Sequence, residues 1–306
     1  MTKTALTGPL IAYGSRSPLG TGTGGSSNAD AAPSLLYGGF GYIDPRAGYN
    51  VTKYGAIGIG GNSCIINQVP SAISAVNIAA SQSPGAGAIN LVSTTGAGIT
   101  VLASPLTVFP SGNVIPTGAL AIDGVPGQVQ FGQVQVSSGY SVVQFYDPQK
   151  AIARAVSLAS GGNDSGITYT VSGYDVYGYP QTQTLAGGNV GTVTTKKAFK
   201  FITGVTASGS VAGTLTIGTS DVYGFAMLSS FWGDMDIVWN NANITVNTGY
   251  LAADTTSPAT ASTGDVRGTY LTPSASDGTK RLLIYAFPIL ANLALGTPGL
   301  FGQTPA

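Results

Sequence analysis

The sequence predicts an all-β protein: a β-sandwich or jelly-roll with an extended, loop-rich N-terminal arm and an apolar C-terminal tail. Three observations carry that reading. From Ile65 onward, short β-branched runs recur about every ten residues, separated by Gly, Pro, Asn and Asp. Several of these runs alternate apolar and polar positions, the period of a half-buried strand. The chain also has no glutamate, one of the better helix formers, and 45 glycines, which weaken helices most after proline.

Residues 1–60 show no periodicity and are rich in Gly, Ser, Pro and Tyr, with the run Thr21-Gly-Thr-Gly-Gly-Ser-Ser. A free linker lacks aromatics, whereas this segment carries Tyr13, Tyr37, Phe40, Tyr42, Tyr49 and Tyr54, so it reads as an arm that adheres to a surface. Residues 61–150 form a first β block, with runs at Ile89-Asn-Leu-Val-Ser, Ile99-Thr-Val-Leu, Leu106-Thr-Val-Phe and Ala119-Leu-Ala-Ile. In Gln128–Val136 the apolar positions change parity at Gly132, as a β-bulge requires if one face is to stay inward.

A second β block spans 151–288 and is readable as one continuous jelly-roll with the first. Ala151–Ser160 is expected to be a strand, since its neighbours are strands. Ile167, Tyr169 and Val171 share a face by alternation; Phe199, Phe201 and Val205 are expected to do the same, as are Leu215 and Ile217. Asp-Val-Tyr-Gly occurs at 175–178 and again at 221–224, and each copy suits a type I turn. Ser276-Asp-Gly-Thr carries a hairpin signal ahead of Lys280–Tyr285, a strand apolar enough to be covered on both faces. Leu282–Ala306, which includes the 289–306 tail, is uncharged and mostly apolar from Leu283 to Leu295; Pro288, Asn292, Gly296 and Pro298 interrupt it short of the ~20 residues of a membrane helix.

Only 8% of the residues are charged, about a third of the usual share, and twelve Lys/Arg balance twelve Asp. With 43% hydrophobic residues and a mean hydropathy of +0.26, such a surface invites self-contact, so much of it is expected to meet other protein. Zero net charge argues against nucleic acid, which needs a basic face. Lys196, Lys197 and Lys200 read as a solvated strand edge. Cys64 is alone, so an intrachain disulfide is excluded and the thiol reads as a small core residue; the opening residues lack a signal-peptide core.

The absence of histidine removes the side chain that titrates near neutral pH, together with every Ser-His-Asp or Cys-His arrangement. Asp234 and Asp236 are the closest carboxylate pair, but Phe231, Trp232 and Gly233 place them at a corner. Asp164, Asp175, Asp221, Asp254, Asp265 and Asp277 offer oxygen ligands for calcium without the spacing of a calcium loop, and read as turn formers. Trp232 and Trp239, near Asn240, Asn241 and Asn243, read as core residues ahead of a sugar platform. The expectation is a non-enzymatic protein with no catalytic residue, cofactor or metal.

The run Asn163-Asp-Ser-Gly-Ile-Thr-Tyr-Thr-Val-Ser-Gly-Tyr-Asp-Val-Tyr-Gly resembles segments of tailed-bacteriophage virion structural proteins of the capsid decoration, or cement, type. So do Lys197-Ala-Phe-Lys-Phe-Ile-Thr, Ile217-Gly-Thr-Ser-Asp-Val-Tyr-Gly-Phe, Gly264-Asp-Val-Arg-Gly-Thr-Tyr and Ser276-Asp-Gly-Thr-Lys-Arg-Leu, and the likeness covers about 120 to 285. The resemblance implies a protein made in the host cytoplasm that binds the outer surface of the major capsid shell and stabilises capsomer contacts. Its implied partners are the major capsid protein and its own copies, as a homotrimer at shell threefolds, with no nucleic acid and no membrane. The expected contact residues are Tyr37, Phe40, Tyr42 and Tyr49 of the arm and Phe287, Leu290, Leu293 and Phe301 toward the tail. The alternative is a tail- or fibre-associated module that binds a glycan or receptor.

Overall fold

A computed structural model describes residues 42–44, 49–51, 56–58, 63–92, 97–107, 113–125, 128–136, 139–146, 152–226, 228–254, 256, 261–286 and 305. For 42–65, 128–146, 234, 285 and 286 the description is of the backbone alone. Among these residues the regular structure is all β apart from one 3₁₀ turn at Trp232–Asp234, and every strand pairing is antiparallel.

Two sheets form the centre. The front sheet runs β16 (Asn189–Thr194), β13 (Arg154–Asn163), β18 (Leu215–Gly224), β22 (Thr269–Leu271), β21 (Tyr250–Leu251), with β5 (Ser74–Gln82) also on β18. The back sheet runs β15 (Pro180–Ala186), β14 (Thr168–Tyr174), β17 (Phe201–Ala207), β10 (Leu120–Ile122), β7 (Ile99–Val101), with β6 (Gly87–Ala88) also on β17. Strands from both the 61–150 and 151–288 intervals therefore share each sheet. A third sheet joins β1 (Tyr42–Asp44), β2 (Tyr49–Val51), β3 (Ala56–Gly58) and β4 (Ser63–Gln68) to β23 (Leu282–Ala286), β19 (Met235–Trp239) and β20 (Ala242–Ile244). Two further pairs are β8 (Leu106–Thr107) with β9 (Val114–Ile115), and β11 (Gln128–Val136) with β12 (Gly139–Tyr146).

The alternation in the sequence explains the sandwich. Ile78, Val156, Leu158, Leu215 and Ile217 from the front sheet meet Ile99, Leu120, Ile122, Tyr169, Val171, Ile202 and Val205 from the back sheet in one core. On the other face of the back sheet, Ala121 and Phe201 pack with Leu102, Ile115, Val176 and Tyr177. A separate core joins Tyr223, Phe225 and Tyr270 to Ile66, Met235, Ile237, Trp239, Leu282 and Ile284 of the third sheet.

The strand expected in 151–160 forms as β13, and the β11–β12 register shifts between Gln130 and Gly132, where the parity change placed a bulge. Three expectations are corrected. Phe201 leaves the face shared by Phe199 and Val205: a bend at Lys200 separates it from Phe199, which bridges Arg154 ahead of β17, and Thr203 is the extra residue of a bulge that separates it from Val205, the β14–β17 register stepping from Ile202 to Gly204. The second Asp-Val-Tyr-Gly is no turn: it continues β18, with Val222, Tyr223 and Gly224 paired to β22. Its Asp221 carboxylate is engaged by Arg154, Ser276 and the Tyr223 hydroxyl and does not fold back on its own backbone. Ser276-Asp-Gly-Thr does turn locally, with Gly278 at φ +84 and Thr279 N–H donating to Asp277 Oδ1 at 2.9 Å. However, β22 and β23 lie in different sheets, so it connects sheets and closes no hairpin.

Candidate functional site: buried ion pairs under a neutral exterior

The first copy of Asp-Val-Tyr-Gly shows why a buried aspartate suits this fold. Gly178 N–H donates to Asp175 O at 3.2 Å, and the Asp175 Oδ1 accepts the N–H groups of Tyr177 and Tyr179, each at 2.9 Å. The other oxygen of Asp175 pairs with the Arg267 guanidinium, which lies 5.1 Å over the Tyr177 ring. Beside it, Asp265 accepts N–H from Ala198 at 3.0 Å and from Arg267 at 2.9 Å. Burial raises the Asp265 carboxyl above the usual range, against the lowering pull of Arg267 and these donors. Lys197 is also buried; desolvation lowers its ammonium while Asp265 and Asp254 act to raise it.

A second cluster centres on Arg154 at the start of β13. Its side chain is fully buried, yet every guanidinium N–H has an acceptor. Nε donates to Ser220 O (2.8 Å), and Nη1 donates to Ser71 O (2.9 Å) and Asp123 Oδ2 (3.3 Å). Nη2 donates to Asp221 Oδ1 and Ser276 Oγ, both at 3.0 Å, and the guanidinium sits 5.1 Å over the Tyr223 ring. Asp221 also accepts from Ser276 Oγ at 2.6 Å and from its N–H at 3.2 Å. Lys200, fully buried, donates its Nζ to Ile122 O; burial pulls its pKa down to about 8, with Asp123 opposing.

A fourth buried carboxylate, Asp164, accepts from Tyr169 Oη at 2.6 Å and Ala212 N–H at 2.7 Å. Burial would raise it, but the bonds from Ser160, Tyr169 and Ala212 outweigh that and hold it below the usual range. The Arg154 N–H groups and the oxygens of Asp164, Asp175, Asp221 and Asp265 are engaged by one another, by backbone groups and by Ser and Tyr hydroxyls. Such an arrangement fixes loops and sheets in register, since removing one member strands its partner in low dielectric.

Lys196 is exposed as expected, but Lys197 and Lys200 are corrected from a solvated edge to the interior. The Thr195–Phe201 segment passes from the front sheet to the back sheet, and Asp265 and Asp123 balance the two ammonium groups there. Asp164, Asp175, Asp221 and Asp265 are buried, whereas Asp254 and Asp277 form turns with Thr256 and Thr279. Asp221 alone of this set lies within a strand and makes no turn. Among the described residues no three His, Cys, Asp or Glu side chains gather as metal ligands, and no helix is long and apolar enough to cross a membrane.

Asp234 lies in the 3₁₀ turn, the corner the sequence indicated, whereas Asp236 is exposed within β19, a strand and no corner. Trp239 is buried with Nε1 donating to Ser274 Oγ at 2.9 Å, and half-buried Trp232 stacks 6.3 Å from Tyr270, so both pack in the core as expected. Asn240 and Asn241 have φ 51 and 67, the left-handed pair that closes the β19–β20 hairpin.

Tyr37, Phe40, Phe287, Leu290, Leu293 and Phe301 lie outside the described residues. Tyr42 and Tyr49 are placed by backbone in β1 and β2, and Cys64 in β4. The sequence reading missed the exposed apolar side chains Val190, Phe231, Val246 and Leu251, each more than half exposed. Val190 carried a faint signal: a β-branched residue within Gly187-Gly-Asn-Val-Gly, held here at φ 54.

Eight of the charged side chains described are buried: Arg154, Asp164, Asp175, Lys197, Lys200, Asp221, Asp265 and Arg267. Four are exposed: Lys196, Asp236, Asp277 and Arg281. With Asp123, Asp254 and Lys280 half-buried, eight of the fifteen charged side chains described are therefore turned inward. Comparison with protein-family models, characterised proteins and solved structures finds no match for the chain.

Proposed function

We propose that this chain is a non-enzymatic virion structural protein, a decoration or cement subunit that binds the outer surface of a capsid shell and stabilises contacts between capsomers. The observation that carries the reading is the inward placement of charge. The described exterior keeps few ionic groups and displays Phe231, Val190, Val246 and Leu251, a composition suited to contact with other protein and to close packing of identical copies. The sandwich is then a jelly-roll-type platform, residues 1–60 an arm and 289–306 a tail that grip the major capsid protein and neighbouring copies, with a homotrimer matching shell threefolds.

The test is co-sedimentation of the full chain with shells stripped of it. Saturable binding with a rise in shell melting temperature is expected, and removing residues 1–60 should abolish binding. Failure of the full chain to bind shells overturns the proposal; binding undiminished by the truncation overturns the arm's role in it.

A further inference from the structure

The front sheet ends on β16, outside β13. Residues 189–192 and Thr194 are exposed, and Val193 packs partly against the sandwich core. Thr195 N–H donates to Val156 O at 2.9 Å. Alternation along an antiparallel pair then turns the backbone groups of Val193 and Gly191 toward β13, and those of Thr192 and Thr194 away from it. Among the described residues nothing meets these outward groups.

The corresponding edge of the back sheet is closed by the chain itself. On β15, Thr184 N–H donates to Ala261 O at 2.7 Å, and Gln183 Nε2 donates to the same carbonyl at 3.1 Å. Among the described residues β16 has no such cover. It also lacks lysine and proline, two devices that keep sheet edges apart, and no residue from Gly187 to Thr195 is charged. Its one irregularity, the register shift opposite Ser160 and Asn163, lies at its start and leaves Thr192–Thr194 regular.

We propose that β16 is a seam at which a second copy of this chain adds antiparallel, extending the front sheet across a two-fold axis near Val193. That register sets Thr192 of one copy opposite Thr194 of the other, so the outward N–H and C=O groups are satisfied reciprocally. Facing threonines suit a cross-strand pair, and no like charges oppose the approach. The ladder is short and weak alone, but sufficient where many copies are held side by side. The inference rests on the proposed coat-subunit role for the identity of the partner: two-fold seams of this kind would link threefold trimers into a net.

The test is sedimentation velocity of the full chain across a concentration series, using wild type, Thr192→Lys/Thr194→Lys, Thr192→Asp/Thr194→Asp, and an equimolar mixture of the two variants. Each variant alone should self-associate at least about tenfold more weakly, from two like-charge pairs across the seam, and the mixture should recover wild-type association. Hydrogen exchange of the wild type supplies a second readout: protection of the Thr192 and Thr194 amides should rise with protein concentration. Oligomers that persist unchanged in the lysine variant, or with no rise in amide protection, overturn the seam and leave the coat-subunit reading standing. A wild-type chain that remains monomeric throughout also overturns the seam, whereas the coat-subunit reading falls only if the full chain fails to bind shells.

Discussion

Replacing Arg154 by methionine removes the group on which two carboxylates and three sheet-connecting segments converge. Methionine fills much of the volume, so the cost comes mainly from stranded polar groups. Asp123 keeps Ser71 N–H at 2.9 Å, and Asp221 keeps Ser276 and Tyr223 Oη, but neither retains a counter-charge from Arg154. The single Ser276 hydroxyl hydrogen lies within reach of both Asp221 Oδ1 (2.6 Å) and Ser71 O (2.9 Å) and serves one of them at a time. Breaking a buried pair from one side costs about 3–5 kcal/mol, and these surviving donors place the expected loss near the lower end, about 3 kcal/mol. Equilibrium urea unfolding at neutral pH reads it directly, as a lower midpoint at unchanged slope, and the melting temperature should fall by roughly 6–12 °C. The triple variant R154M/D123N/D221N should regain most of the loss, since it leaves no orphaned charge. A loss under about 1 kcal/mol for R154M, or a triple variant no better than the single, refutes the reasoning.

Lys200 gives a pH signature. Its pKa of about 8 lies below the 10.5 of the unfolded chain, so between those values the unfolded state binds more protons and stability rises with pH. The penalty is complete below about pH 8 and gone by about pH 10.5, where it has released about 3 kcal/mol; the difference between wild type and K200M across that window should show this slope, and a flat difference contradicts it. Asp277, exposed and bonded by Thr279 and Lys280, should titrate near 2 by NMR, and a midpoint near 4 would remove the assigned turn. Gly218 lets β5 approach β18: a Cβ there would stand 1.8 Å from Ser74 O. G218A should therefore cost about 3 kcal/mol by overpacking in urea unfolding, and a neutral result would show that β5 yields freely.

The legible part of the fold is the part governed by local periodicity. Ile167, Tyr169 and Val171 lie in the core as their spacing required, and the parity change at Gly132 marked a real register shift. The bend at Lys200 and the bulge at Thr203 carried no such mark, so Phe201 was assigned to the wrong face. The buried charges were illegible for a different reason. Whether Lys197, Lys200 or Arg154 faces water depends on Asp265, Asp123 and Asp221, which tertiary structure brings from distant positions. The two copies of Asp-Val-Tyr-Gly make the same point: one aspartate caps its own turn, whereas the other is claimed by Arg154 and stays in a strand.

Electron cryomicroscopy of the particle with which the chain copurifies tests the coat-subunit account most directly. The account predicts density for this all-β subunit repeated over the outer shell, bridging capsomers around threefold positions. Density confined to a tail or fibre, or a chain that copurifies with no particle and stays monomeric, would contradict it.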